Sequence, residues 1–183
     1  MPLSVEMPAP VRTTVGWRLV ISSANKKVDT VGGAPRFAGA FRCDATYAME
    51  FRFANEVTVR FAETDAQGVA HHAAYLVWFE TTRIEYLRRF RGGYLELRLE
   101  GVDALTLEAY ARYLDAARFD DRLTIRARCG DVRGARFRFD YSVERDGAQV
   151  ADGWTTHACV SVGDHRPTRV PSWLAEAIAE AES

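Results

Sequence analysis

The sequence predicts an α+β domain in which one long helix packs on a curved antiparallel sheet. Three observations predict it. A strand-like run ahead of residue 64 feeds through Asp65 and a glycine-bearing turn into a helix beginning near His72. That helix is apolar on all sides at one end, over Tyr75, Leu76, Val77, Trp78 and Phe79, so it must be covered on more than one side. Strands then follow one another without crossover helices, as in an antiparallel sheet and not a doubly wound parallel one.

Residues 1–52 read as a flexible N-terminal extension. Residues 1–10 are proline-rich, Gly32-Gly33-Ala34-Pro35 breaks the region again, and only residues 15–21 have strand or helix character. Arg12, Arg18, Lys26 and Lys27 fit a solvated tail; a targeting or partner-binding arm, or a compact domain that starts at Met49, are the alternatives. The compact domain is expected over residues 53–171, followed by a C-terminal helix or tail over 172–183.

Within it, residues 56–63 alternate as a half-buried strand. Ile84, Leu87 and Phe90 continue the helix with Arg83, Arg88 and Arg89 between them; a basic last turn suits the helix dipole, and Gly92-Gly93 stops it. Residues 94–105 fit either a strand, with Leu95, Leu97 and Leu99 alternating, or a short helix. Residues 106–118 read as extended, and Phe119-Asp120-Asp121 as a turn. Leu123 to Cys129 alternates, as do Phe137, Phe139, Tyr141 and Val143, and Asp146-Gly147 is the strongest hairpin signal in the chain. A last strand over about 149–162 completes an antiparallel meander, and Pro171-Ser172 opens a short helix.

Composition removes several classes of function. At 183 residues the chain holds one domain of ordinary size and a tail, and a net charge of -1 with a pI near 6.4 gives no electrostatic case for nucleic acid. The row Phe137, Phe139, Tyr141, interleaved with Arg136 and Arg138, reads as sheet core backed by solvated charge, not a base-stacking platform. No apolar run reaches ~18 residues, so no transmembrane segment is expected, and without a basic, then apolar leader a cytoplasmic location is. Cys43, Cys129 and Cys159 lack the close pairs of a zinc or redox motif and read as reduced thiols. His71, His72, Asp65 and Glu80 invite a metal, but adjacent histidines on a helix point different ways, so none is expected.

One constellation is specific. Thr64-Asp65, Gly68-Val69, His72 and Tyr75, followed by Phe79-Glu80 and Arg83, resembles the active-site segment of the 4-hydroxybenzoyl-CoA thioesterase-like family, of hotdog fold. It is especially similar to the bacterial acyl-CoA thioesterases of the Tol–Pal-associated branch. The likeness runs through Arg118-Phe119-Asp120-Asp121 to the final strand, over about residues 53–171. Gln67 stands where many relatives carry Gly, Ala70 where Val is usual and Ala116 where Pro is common. Gln67 matters most, because a side chain beside the turn narrows the pocket or touches the acyl group.

The resemblance implies an acyl-CoA thioesterase that releases free acid and CoA. CoA is then part of the substrate, and no separate cofactor is implied. It also implies a homodimer or homotetramer with the active site at the subunit boundary. Action on carrier-protein-bound acyl chains and a non-catalytic acyl-CoA-binding module are the alternatives; the lack of a His-Phe-Pro type motif speaks against a β-hydroxyacyl dehydratase.

The chemistry can be argued from the residues as well. Thioester hydrolysis needs a carboxylate that activates water or attacks the carbonyl, and donors aimed at the developing oxyanion. Asp65 suits the first role as nucleophile or general base, and the unpaired N–H groups at the helix start, His72-Ala73, suit the second. Gly68 lets backbone approach a ligand, and Gln67, Val69, Ala73 and Tyr75 are the other candidate substrate contacts. Each has a plainer use: Asp65 as a turn or cap residue, His72 as a helix-start residue, His71 as a bystander. Glu80, two turns along an apolar helix, needs a polar partner and is either structural or a second catalytic acid. Thr155 and His157 face the pocket or are satisfied within the strand. Among Arg118, Arg133, Arg136, Arg166 and Arg169, the pair Arg166 and Arg169 is preferred for the CoA phosphates.

Overall fold

The computed structural model describes residues 50–183. The extension expected over residues 1–52 lies almost wholly outside the described residues, as does Cys43. The elements are β1 (Phe53–Thr58), a 3-10 turn (Phe61–Glu63), α1 (His72–Arg88), α2 (Tyr94–Leu99), β2 (Val102–Tyr113), β3 (Arg122–Arg133), β4 (Arg136–Arg145), β5 (Ala148–Ser161) and α3 (Ser172–Ala181). All strand pairs are antiparallel, in the order β1-β3-β4-β5-β2, and α1 packs on one face of this sheet in the hotdog arrangement.

Alternation in the strands builds the core. Leu123, Ile125, Ala127 and Cys129 on β3 and Phe137, Phe139, Tyr141 and Val143 on β4 are all buried on the face that meets α1. From the helix come Tyr75, Trp78, Phe79, Tyr86 and Leu87, and Phe79 stacks on Tyr141 at 4.3 Å between centroids. Each such side chain contributes about 1.5–3 kcal/mol through burial. The β4–β5 hairpin turns on Asp146 and Gly147, both at positive φ (52° and 77°), the geometry that suits right-twisted strands. Gly93 ends the α1 segment, since a Cβ there would lie 2.8 Å from Arg88 Cα.

Three expectations change. The strand expected over 56–63 ends at Thr58, because Glu63 receives both the Arg60 backbone N–H (2.8 Å) and its guanidinium (2.7 Å) and closes a turn that leaves Phe61 78% exposed. Residues 94–105 divide into α2 and the start of β2. The meander holds only for β3, β4 and β5. With β1 on the outer ladder of β3, β2 crosses to the far edge and pairs with β5.

The helix that opens after Pro171 joins the same core, burying Leu174 and Ile178. Beyond it the Glu182 carboxylate accepts from Tyr86 OH (2.6 Å) and from Cys129 N (3.0 Å), tying α3 to both α1 and β3. Among the described residues no helix is long and apolar enough to cross a membrane.

Candidate active site

The loop ahead of α1 is closed on itself by backbone hydrogen bonds. His71 N donates to Glu63 O (2.7 Å), Asp65 N to Val69 O (2.9 Å) and Gly68 N to Asp65 O (2.9 Å), with a bridge between Thr64 and Ala70. Gly68 sits at φ +73°, which favours glycine, with open space where a side chain would be. The result is a compact loop that carries Asp65 back to the helix start. Its second support is the segment before β3: Ala70 N donates to Ala117 O (2.8 Å) and Arg118 reaches Gly68 O (3.4 Å). Arg145 holds that segment in turn, through Ala116 O, Asp115 and Asp121.

Asp65 is half-buried, and its Oδ1 accepts the Gln67 backbone N–H at 2.8 Å. Oδ2 has no hydrogen-bond partner among the described residues. Gln67 therefore touches the carboxylate through its backbone, while its residue as a whole is exposed.

At the helix start the expectation divides. His71 is not a bystander but the N-cap: extended (φ -60°, ψ 137°), it accepts the Ala73 N–H on Nδ1 at 3.3 Å. Ala73 N–H is thus engaged, and Ala74 N–H bonds His71 O, which leaves the His72 N–H as the first-turn donor without an acceptor among the described residues. Because His71 precedes the helix, its ring comes within 4.1 Å of the His72 ring, centroid to centroid, and the two do not point apart as expected. Among the described residues no group of three or more His, Cys, Asp or Glu is placed to hold a metal ion.

Tyr75 is 3% exposed and packs on Trp78 and Tyr113, so it forms a wall beneath the loop and not an open contact. Burial raises its phenol pKa. Glu63, which the sequence did not single out, is the staple of the site: besides Arg60 it accepts the Trp78 indole N–H at 3.1 Å. Its burial pulls the carboxyl pKa upward, but the hydrogen bonds from Arg60 and Trp78 outweigh that and hold it below the usual range. Arg60 and Glu63, three apart with opposite charge, were the available signal.

Glu80 corrects another expectation. It is exposed and has no partner among the described residues, because Ala73, Leu76, Val77 and Glu80 share one helix face that the single chain leaves open. Leu76 and Val77 are 40% and 49% exposed, so the all-round covering expected of α1 is not met within one chain. A hollow of about 380 Å³ lies elsewhere, lined by Phe53, Ala54, Asn55, Glu85, Arg88 and Arg89, and includes none of the expected site residues.

His157 and Thr155 are buried on β5 facing α1. Arg83 Nη1 donates to His157 Nε2 (3.2 Å), Thr155 Oγ1 lies 2.8 Å from the same nitrogen and 3.0 Å from Tyr141 OH, and Thr106 Oγ1 is 3.4 Å from Nδ1. Since guanidinium only donates, Nε2 accepts and the proton sits on Nδ1. Burial first, and the nearby Arg83 charge second, push the His157 pKa down to about 3 and keep the ring neutral.

Arg166 and Arg169 are exposed, Arg166 paired with Asp164 at 3.1 Å. Val170 N bonds Gly134 O, which sets this segment beside the hairpin bearing Arg133 and Arg136. That is the end of the sheet where Arg136 pairs with Ala158, whereas Tyr113, which donates to His72 O, pairs with Ala151. Seven strand positions make about 24 Å. A single chain does not bring these arginines to Asp65.

Residues 59–178 match the family model described as the thioesterase-like superfamily. An acyl-CoA thioesterase from Haemophilus influenzae is 33% identical over 120 residues, which cover 65% of this chain and 88% of that enzyme. The crystal structure of a hypothetical protein from Thermus thermophilus superposes with a TM-score of 0.66 at 31% identity, covering 70% of this chain and 98% of that one. A 1,4-dihydroxy-2-naphthoyl-CoA thioesterase from Synechocystis shares the fold at a TM-score of 0.66 and 20% identity, over 72% of this chain and 98% of that one.

Proposed function

The chain belongs to the thioesterase-like superfamily, and from that premise we propose that it hydrolyses acyl-CoA thioesters, with Asp65 as the reacting carboxylate. The observation that carries this reading is the juxtaposition of Asp65, one oxygen held by Gln67 N, with the start of α1, the other oxygen and the His72 N–H having no partner among the described residues. Asp65 Oδ2 takes a proton from water as the water attacks the thioester carbonyl, or itself attacks to give a mixed anhydride that water hydrolyses once the thiol has left; the carbonyl oxygen becomes negative and is received by the His72 N–H at the positive end of α1. The C–S bond then breaks and the CoA thiolate leaves. Glu80 is a second acid on the open face of the same helix.

The site is completed by a second copy in this reading. Leu105, Leu107, Tyr110 and Tyr113 on the free edge strand β2, with Leu76 and Val77 on α1, are each between 40% and 49% exposed. An unpaired apolar edge beside an unpaired apolar helix face favours a homodimer, or a tetramer built from it. Antiparallel pairing of two β2 edges carries the Arg166 and Arg169 end of one chain toward the Asp65 end of the other, where they meet the CoA phosphates. The cytoplasm is the compartment we assign, in keeping with Cys129 and Cys159, which are unpaired thiols.

Thiol release from a panel of acyl-CoAs tests the proposal. Turnover should be measurable and fall by ~100-fold or more in Asp65→Asn, as for loss of a general base. Equal rates in wild type and Asp65→Asn remove Asp65 from the mechanism, and tight binding with no turnover of any thioester rejects the hydrolase.

A further inference from the structure

Between the helix start and Arg83, α1 runs beside β2. At one end Tyr113 bonds His72 O and packs on Tyr75; at the other Thr106 and Arg83 converge on His157. Ala73, Leu76 and Glu80 lie between them at spacings of three and four, on the flank that Arg83 continues. Arg83 is only partly exposed. It donates to the neutral His157 imidazole and also bonds the Tyr141 hydroxyl, and no carboxylate lies within ion-pair distance of it among the described residues; Glu80, the acid nearest it on this flank, is out of range. Among the described residues this guanidinium is therefore held by hydrogen bonds to neutral groups and has no counter-charge.

We propose that Arg83 receives a carboxylate at the far end of the acyl group, so that the preferred substrates are ω-carboxyacyl thioesters and not methyl-terminated ones. The planar fork of the guanidinium matches a carboxylate with two parallel hydrogen bonds. From His72 to Arg83 the helix axis advances about 16 Å. The side chain leans back toward the helix N-terminus, which shortens the span to that of a medium-length acyl chain. For turnover the proposal rests on the hydrolase reading; for binding it does not.

Suberyl-CoA and octanoyl-CoA, equal in chain length, test it as a ratio of kcat/KM in wild type, Arg83→Lys and Arg83→Gln. The ratio does not depend on the fraction of a variant that folds. It should favour suberyl-CoA by about tenfold or more in wild type, stay above one in Arg83→Lys and fall to about one in Arg83→Gln. A wild-type ratio of one or less, or a ratio that Arg83→Gln leaves unchanged, overturns the proposal. So does a preference that emerges only in Glu80→Gln, because the counter-charge then comes from the chain itself. Calorimetric binding of both thioesters to Asp65→Asn, with and without Arg83→Gln, separates the two readings. An Arg83-dependent preference in a protein that never turns over keeps the anion site and rejects the hydrolase, whereas turnover with no preference does the reverse.

Discussion

Gly153 is the position where the sheet tolerates no side chain at all. It pairs with Ala111 on β2 and Tyr141 on β4, directly under Phe79. A Cβ built there lies 2.2 Å from Tyr110 O, 2.7 Å from Phe79 Cε2 and 3.1 Å from Phe79 Cζ. None of these atoms can yield cheaply: one is backbone in the β2–β5 ladder, the others belong to a fully buried ring stacked on Tyr141. Gly153→Ala must therefore lift the edge strand or tilt α1. Overpacking of this kind costs about 3 kcal/mol, offset by about 0.5 kcal/mol from the less flexible unfolded chain. With a urea slope of about 2 kcal/mol/M the midpoint should drop by about 1 M. Thioesterase activity should fall as well, because β2 and α1 carry both the proposed acyl path and the proposed interface. Phe79→Leu in the same background should recover about 1 kcal/mol in a double-mutant cycle, since it clears one of the two obstructions. A Gly153→Ala midpoint within about 0.2 M of wild type would refute the reasoning.

Two further outcomes follow from the buried cluster and the open edge. His157 is neutral in the fold, with a pKa near 3, and titrates near 6.5 when unfolded. Protons thus bind the unfolded chain first, so its contribution is complete above about pH 6.5 and is lost as pH falls toward about 3, at up to about 1.4 kcal/mol per pH unit. Urea midpoints at about pH 7, 6 and 5 should decline more steeply in wild type than in His157→Asn; parallel profiles would contradict the assignment. Leu107→Lys places a charge in the middle of the free β2 edge, and light scattering should show monomers whose thioesterase activity is reduced about tenfold or more. A wild type that is itself monomeric and fully active would remove the partner copy from the site.

Much of the site was legible because its causes are local. An acid, a glycine at positive φ and a helix start within eight residues are set by turn and capping chemistry, and Asp146-Gly147 formed its hairpin for the same reason. Local chemistry also defined what was misjudged nearby. A histidine can cap as well as be displayed, and only the φ and ψ of His71 decide which.

What stayed hidden is non-local. The sequence alone determined that strands would alternate, that one helix would be apolar at its start and that Asp65 would stand in the turn ahead of that helix. Only the tertiary structure decided that β2 would cross to the far edge, because strand pairing depends on which ladders the rest of the chain has already filled. The same holds for Arg83 and His157, 74 residues apart and joined only when α1 lies on β5. Exposure is likewise a property of the packed chain: the periodicity that marked Leu76, Val77 and Glu80 as helical does not say whether their face meets the sheet or is left open.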